Sequence, residues 1–350
     1  MIRNFHGNPE AVETLTEMLA TDRIPQTLLL AGPSGVGKAT LVRRFASVIL
    51  DAGEGDLEKI ERDDLFLPHN VEMLAEREKL ASDKRSDDPL MLATHPDFLT
   101  FAPDGPLRQV SIQQIRLLKD QAQLQPSKGK RRVFLIDQID RANEQAANSL
   151  LKVLEEPPAH LLIFMTAENP YDLLPTIRSR SVTIRMHRLA EEETARFLST
   201  RGLDAPERRA RLGNGSPGVA AAIDLEVYDK RRGAMLNLLE VASRRASFGS
   251  WLKNVESISA SKSEKLEYYL EVLFLLLEDI LMIAHGFEQI RNPDLARQLK
   301  AIADAVSLKW MLKAVELTDE MARLLRRNIQ KGIALDAFAI ELRDMVPVGN

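Results

Sequence analysis

The sequence predicts an α/β module built on a parallel sheet, followed by an all-α half, and three observations carry that expectation. Short apolar β-type runs alternate with helical patterns over the first half, as in a sheet covered by helices on both faces. A glycine-rich loop of the phosphate-binding kind directly follows the first run and opens a helix. After about residue 189 the strand signals vanish and only helical periodicity remains.

In chain order, the apolar runs are 27–31, 98–101, 132–136, 161–165 and 182–184. Helical patterns fall between them at about 38–50, 111–122, 142–155 and 172–178. Ser111 and Gln114 have the spacing of a capping box at the start of the second. The polar stretch 51–88 reads as an insert made of one surface helix, around 72–80, and flexible loop. The α/β domain is thus expected over 1–187. The helical patterns at 191–200 and 207–212, closed by the turn-rich 213–218, predict a small helical domain over 188–229. The remainder, 230–350, reads as a second helical domain with Pro293 as its clearest breaker. Its most apolar stretch, 268–284, carries Glu271, Glu278 and Asp279. A charge at a bilayer centre costs about 3 kcal/mol, so a buried helix is expected there and no membrane span.

Composition narrows the function. The 350 residues are 45% hydrophobic and 28% charged, and 47 basic against 51 acidic side chains leave a formal charge of -4. No global basic field draws such a chain to nucleic acid. The absence of cysteine removes thiol nucleophiles, disulfides and cysteine-ligated zinc, which fits a reducing compartment. The start, MIRNFHGNPEAVETL, lacks an apolar core followed by a small-residue cleavage site, so a cytoplasmic location is expected. His6, His69, His95, His160, His187 and His285 show no ligand spacing, and no metal site is expected.

The chemistry-bearing motif is Gly32-Pro33-Ser34-Gly35-Val36-Gly37-Lys38. Glycines let backbone N–H groups turn inward around phosphates, the helix N-terminus favours negative charge, and Lys38 would reach the outer phosphates. The next residue should hold Mg²⁺ through a hydroxyl but is Ala39, and Thr40 points about 100° further round the helix. Asp137, ending the third run, stands where a metal-organising carboxylate belongs. Gln138 follows it where a water-polarising carboxylate would be needed, and an amide cannot act as a general base. Ala167 occupies the place of a polar sensor two residues before Asn169-Pro170. Arg180, after the last short helix, is either a finger offered to a neighbouring subunit's phosphates or a solvated or salt-bridged surface arginine. Lys152, Glu155 and Glu156 would serve an interface or solubility alone. The basic run Lys128, Lys130, Arg131 and Arg132 would contact DNA or solvate the start of a strand.

Five segments together resemble the AAA+ clamp-loader subunits of bacterial DNA polymerase III: the GPSGVGK loop, His95-Pro96-Asp97, SIQQIRLL, LIDQIDRANEQAANSLLKVLEEPP and LLPTIRSRS. The likeness is dense over 24–187 and continues as two echoes, at 215–218 and 328–336. It implies an AAA+ P-loop module, a small helical lid and a C-terminal helical collar through which five subunits form an open ring in DNA replication. It also implies partners: motor subunits of the gamma/tau type, a delta subunit, primer-template DNA and the sliding clamp, and no membrane. Nucleotide-binding positions carried over are Gly32, Gly35, Val36, Gly37, Lys38, Thr40 and Asp137, with ATP or ADP binding left open. Ser179-Arg180 match the family's Ser-Arg-Cys motif, Ser181 replacing the cysteine, so Arg180 is expected to act in trans. Motor subunits carry a lid arginine after Gly-Ser, where this chain has Pro217-Gly218. With Ala39, Gln138 and Ala167 this selects a non-catalytic stator over the alternative, an ATP-hydrolysing motor. Family members commonly have a four-cysteine zinc module where this chain has its insert, so no zinc is expected.

Overall fold

The computed structural model describes residues 2, 5–51, 53–260, 265–324 and 330–347, arranged as two compact units, Met1–Ala221 and Ala222–Asn350. The first unit begins with α1 (Pro9–Ala20), β1 (Thr27–Ala31) and α2 (Lys38–Ile49). It continues through α3 (Glu54–Glu61), α4 (Pro68–Lys79), α5 (Ser82–Asp87), β2 (Leu92–His95), β3 (Phe98–Phe101) and α6 (Ile112–Ala122). β4 (Arg132–Ile136), α7 (Glu144–Glu155), β5 (Leu161–Ala167), α8 (Pro175–Arg178) and β6 (Val182–Arg185) complete the sheet region. Three helices end the unit: α9 (Glu191–Thr200), α10 (Pro206–Gly213) and α11 (Pro217–Ala222).

The six strands lie in the order β2-β3-β4-β5-β1-β6, parallel except for β2 against β3. Successive side chains of a strand point to opposite faces, so an apolar run without alternation requires two cores. Both exist. Leu29, Phe101, Phe134 and Ile163 pack with Ile115, Leu118 and Leu150 of α6 and α7. Leu28, Leu30, Val133, Leu135 and Phe164 pack with Leu15, Leu41 and Phe45 of α1 and α2. The capping box at Ser111 and Gln114 is formed as expected, and Gln114 also donates to the Leu90 and Ala102 carbonyls.

The insert differs from expectation. In place of one helix and a flexible loop it forms α3, α4 and α5, fastened by buried polar side chains. Arg77 forms an ion pair with Asp104 at 2.8 Å, with both side chains 10% exposed or less, and also reaches Asp88. Asn70 donates to the Arg62 and Asp64 carbonyls, and Asp63 accepts from the hydroxyls of Thr94 and Thr100. Hydrophobic periodicity cannot register such anchors, because the side chains that fix the helices are polar. The antiparallel edge strand β2 and the helix α1 were not expected either. β2 exposes Ala93 and Thr94, and α1 has no side-chain cap at Asn8. The helix expected at 172–178 is shorter, a single turn starting at Pro175, whose fixed φ suits the first helical position.

The second unit contains α12 (Leu225–Ala242), α13 (Phe248–Ala260), α14 (Leu266–Ala284), α15 (Ala296–Ala303), α16 (Leu308–Leu324) and α17 (Lys331–Asp344). Trp251, Trp310 and Phe338 lie in its core. Each buried indole N–H is satisfied, by Asp336 and by the Leu342 carbonyl. The apolar stretch forms the buried helix α14, and Asp279 within it accepts from the backbone of Arg291 and Asn292 and from the Asn292 side chain. Pro293 starts a short 3-10 turn before α15. Among the described residues no helix is long and apolar enough to cross a membrane. Of the second family echo, Asn328 and Ile329 lie outside the described residues.

Candidate functional site

β5 lies between β4 and β1, so the loops after these three strands meet at one end of the sheet, where open α/β sheets place ligands. The P-loop follows β1, Asp137 follows β4, and Thr166, Ala167 and Glu168 end β5. Two loop glycines are required by their surroundings. A Cβ on Gly32 would lie 2.1 Å from the Met186 carbonyl oxygen. Gly35 has φ +74°, and its Cβ would lie 2.8 Å from the Val219 nitrogen. Val36 is buried. Lys38 is folded over its own loop: its ammonium donates to the Gly32 carbonyl at 2.6 Å and the Pro33 carbonyl at 2.7 Å. Burial pushes the Lys38 ammonium below its ordinary range, opposed by the charges of Glu168, Asp137 and Asp140.

The loop is closed from above. The Gly218 N–H, in the first turn of α11, donates to the Gly35 carbonyl at 2.8 Å. Phe5 sits 3.1 Å from where a Cβ of Gly37 would be, and Gly37 has φ +95°. The His6 ring packs edge-on against Phe197 of α9, with centroids 5.2 Å apart. The space left between the loop, Thr40, Arg44, Phe197, Arg201 and Pro217 is about 110 Å³. Small-molecule sites run from about 300 Å³ upward.

The hydroxyl of Thr40 accepts from Arg43 at 3.3 Å, and Ala39 packs against the core beneath α2. Asp137 is buried and accepts from the Thr166 hydroxyl, which in turn accepts from the Gln138 N–H at 2.8 Å. Burial, the dominant cause, raises the Asp137 carboxyl above its ordinary range. Ala167 is buried, and its carbonyl accepts from the Gly32 N–H at 3.1 Å. Sequence reasoning located Ala167 and missed Thr166 beside it, the hydroxyl that does reach Asp137. It also missed Phe5, His6 and the seat of Gly218 on the loop, contacts made across long sequence separation and without a motif.

Arg180 is not gathered into this site. It follows α8, and its guanidinium donates to Glu155 Oε1 at 2.9 Å and to the Thr176 carbonyl at 3.1 Å. The basic run at 128–132 is largely neutralised. Lys128 pairs with Asp56 at 3.1 Å and Arg131 with Asp22 at 3.6 Å, while buried Arg132 lies 3.9 Å from Asp97. Among the described residues no cluster of His, Asp and Glu is placed to hold a metal ion.

A P-loop on β1, a carboxylate after β4 and a helical lid against the loop define an AAA+ P-loop module, here with its phosphate loop closed over. Within that class, residues 73–190 match the family described as DNA polymerase III, delta subunit. The chain is 30% identical over 224 residues to DNA polymerase III subunit delta' of Escherichia coli, 62% of this chain and 64% of that protein, so it spans less than two thirds of that relative. It is 25% identical over 343 residues to subunit delta' of Bacillus subtilis, 96% of each chain. A gamma subunit-related protein of Thermotoga maritima superposes with a TM-score of 0.49 at 17% identity, covering 95% of this chain and 99% of that one. The chain is similar to the DNA polymerase III delta' subunits, in line with the clamp-loader resemblance of its motifs.

Proposed function

We propose that this chain is the non-catalytic stator subunit of a DNA polymerase III clamp loader, a cytoplasmic replication protein that supplies Arg180 in trans to a neighbouring motor ATPase. One observation carries the reading: the phosphate loop is closed by its own lysine and by the lid, while Arg180 stands exposed at the edge of the module. A chain built this way gives a guanidinium to another site and uses none of its own. The missing hydroxyl at Ala39, the amide at Gln138 and the apolar Ala167 agree with it.

The partners that follow from the reading are gamma/tau-type motor subunits and a delta subunit in a hetero-pentamer that opens the sliding clamp and loads it on primer-template DNA. The second unit would be the collar. Leu308, Leu312 and Val315 expose an apolar stripe at i, i+4 and i+7 along α16, and Ile333 and Ile340 do so on α17, as helices awaiting neighbours do.

The rival reading is a motor subunit, favoured by 26% identity over 277 residues to subunit gamma of Buchnera aphidicola. Turnover by the pure, isolated chain separates the two. The stator reading expects ATP hydrolysis at background. Hydrolysis that follows the protein through gel filtration and disappears in Lys38→Ala would establish the motor.

A further inference from the structure

Several arginines in this chain are held by carboxylates. Arg43 pairs with Asp64, Arg77 with Asp104, Arg209 with Asp204, Arg291 with Glu278 and Arg180 with Glu155. Among the described residues neither Arg178 nor Arg185 forms an ion pair. Both lie against one ring, that of Tyr171, with guanidinium carbons 5.1 and 5.9 Å from its centroid. Arg185 also donates to the Tyr171 hydroxyl at 3.0 Å. The ring is 67% exposed, and Arg185 is exposed as well. Two like charges are thus collected on one exposed phenol, and most of their N–H donors are left to solvent.

Nothing in the folded unit requires this arrangement, since the cluster seals no core and caps no buried carboxylate. It does match what recognises an anion: planar donor forks held in place by an aromatic body. β6 lies at the edge of the sheet and adds exposed Val182 and Thr183 close by in the chain.

We propose that Tyr171, Arg178 and Arg185 form a docking ledge for a carboxylate-bearing surface of the motor subunit that adjoins the Arg180 edge. Arg180 itself turns to Glu155 and is not part of the ledge. The choice of a protein over nucleic acid follows from composition and geometry. The chain carries net charge -4, so it lacks the broad positive field that attracts a phosphate backbone. Arg178 lies over the ring, where a base would stack, and Arg185 holds the ring's hydroxyl. Tyrosine and arginine are the residues that concentrate binding energy at protein interfaces, and a guanidinium fork takes a carboxylate through two parallel hydrogen bonds.

The proposal rests on the clamp-loader reading for the identity of the partner, and its test separates the two. The affinity of the full chain for a purified gamma/tau-type motor subunit is measured by calorimetry at low and moderate salt. The double variant Arg178→Glu/Arg185→Glu should weaken binding tenfold or more at low salt, the range expected for lost charge pairs across an interface, and should flatten its salt dependence. Tyr171→Ala should weaken it by a smaller factor. If thermal melts show the charge reversal to be misfolded, Arg178→Gln/Arg185→Gln gives the same reading without repulsion. Wild-type affinity in a folded double variant overturns the ledge and leaves the stator reading intact. Failure of the wild-type chain to bind the motor subunit overturns both. Loss of single-stranded oligothymidine binding, with motor-subunit affinity unchanged, would make the patch a nucleic-acid contact and refute a protein ledge.

Discussion

Arg180 and Glu155 form an ion pair at 2.9 Å across the edge of the α/β module, joining the segment after α8 to the last residue of α7. The pair is half open to solvent, with side chains 34% and 50% exposed. Exposed pairs contribute about 0–1 kcal/mol, so Glu155 restrains the guanidinium without trapping it. On the proposed trans role, a phosphate from a neighbouring subunit would replace the carboxylate at small cost.

Glu155→Gln follows directly. It should change the free energy of unfolding by less than about 1 kcal/mol, measured by urea denaturation, and should leave ATP turnover of a reconstituted loader no lower than wild type. A loss as large as that of Arg180→Ala would make Glu155 a positioning residue for the finger.

Arg77→Ala should be far more damaging, because it strands the buried carboxylate of Asp104 and releases Asp88. Removing one partner of a buried pair costs on the order of 3 kcal/mol, read as a lower urea midpoint. Arg77→Met combined with Asp104→Leu should recover much of the loss. Equal damage in the single and double variants would mean that the packing of Arg77, and not its charge, holds the insert.

The buried Asp63 sets a pH dependence. Burial raises its carboxyl above the ordinary 3.8, more than the hydrogen bonds from Thr94 and Thr100 lower it. A carboxyl raised on folding binds its proton more tightly in the native state. Its favourable contribution is complete below the ordinary value and is lost as pH rises through the raised one. Asp63→Asn stays neutral throughout. The stability of wild type relative to Asp63→Asn should therefore fall as pH rises above the ordinary carboxyl value in urea titrations. A relative stability that rises over that interval would contradict the assignment.

The sheet was legible because its inner strands β1, β3, β4 and β5 are buried on both faces, which leaves unbroken runs such as Leu28-Leu29-Leu30. The P-loop was legible because close approach and positive φ demand glycine at Gly32, Gly35 and Gly37. The insert was not, since Asp63, Asn70 and Arg77 read as surface residues until their partners, distant in sequence, are in place. The state of the nucleotide site was half legible. The eroded positions Ala39, Gln138 and Ala167 could be read from the chain, but its closure depends on Phe5, Lys38 and Gly218 converging from three segments.

The most direct test of the account is the DNA-stimulated ATP turnover of a clamp loader reconstituted with Arg180→Ala in this chain. The variant should fold and assemble normally. A trans guanidinium contributes about 10³-fold or more at the site it serves, but only the motor site facing this subunit loses it. Bulk turnover should therefore fall partially, and clamp loading, which needs the sites to act together, should fall further. Arg180→Lys should not restore either, because an ammonium lacks the planar two-pronged contact. Wild-type turnover and loading by the Arg180→Ala complex would contradict the account and return Arg180 to a surface arginine paired with Glu155.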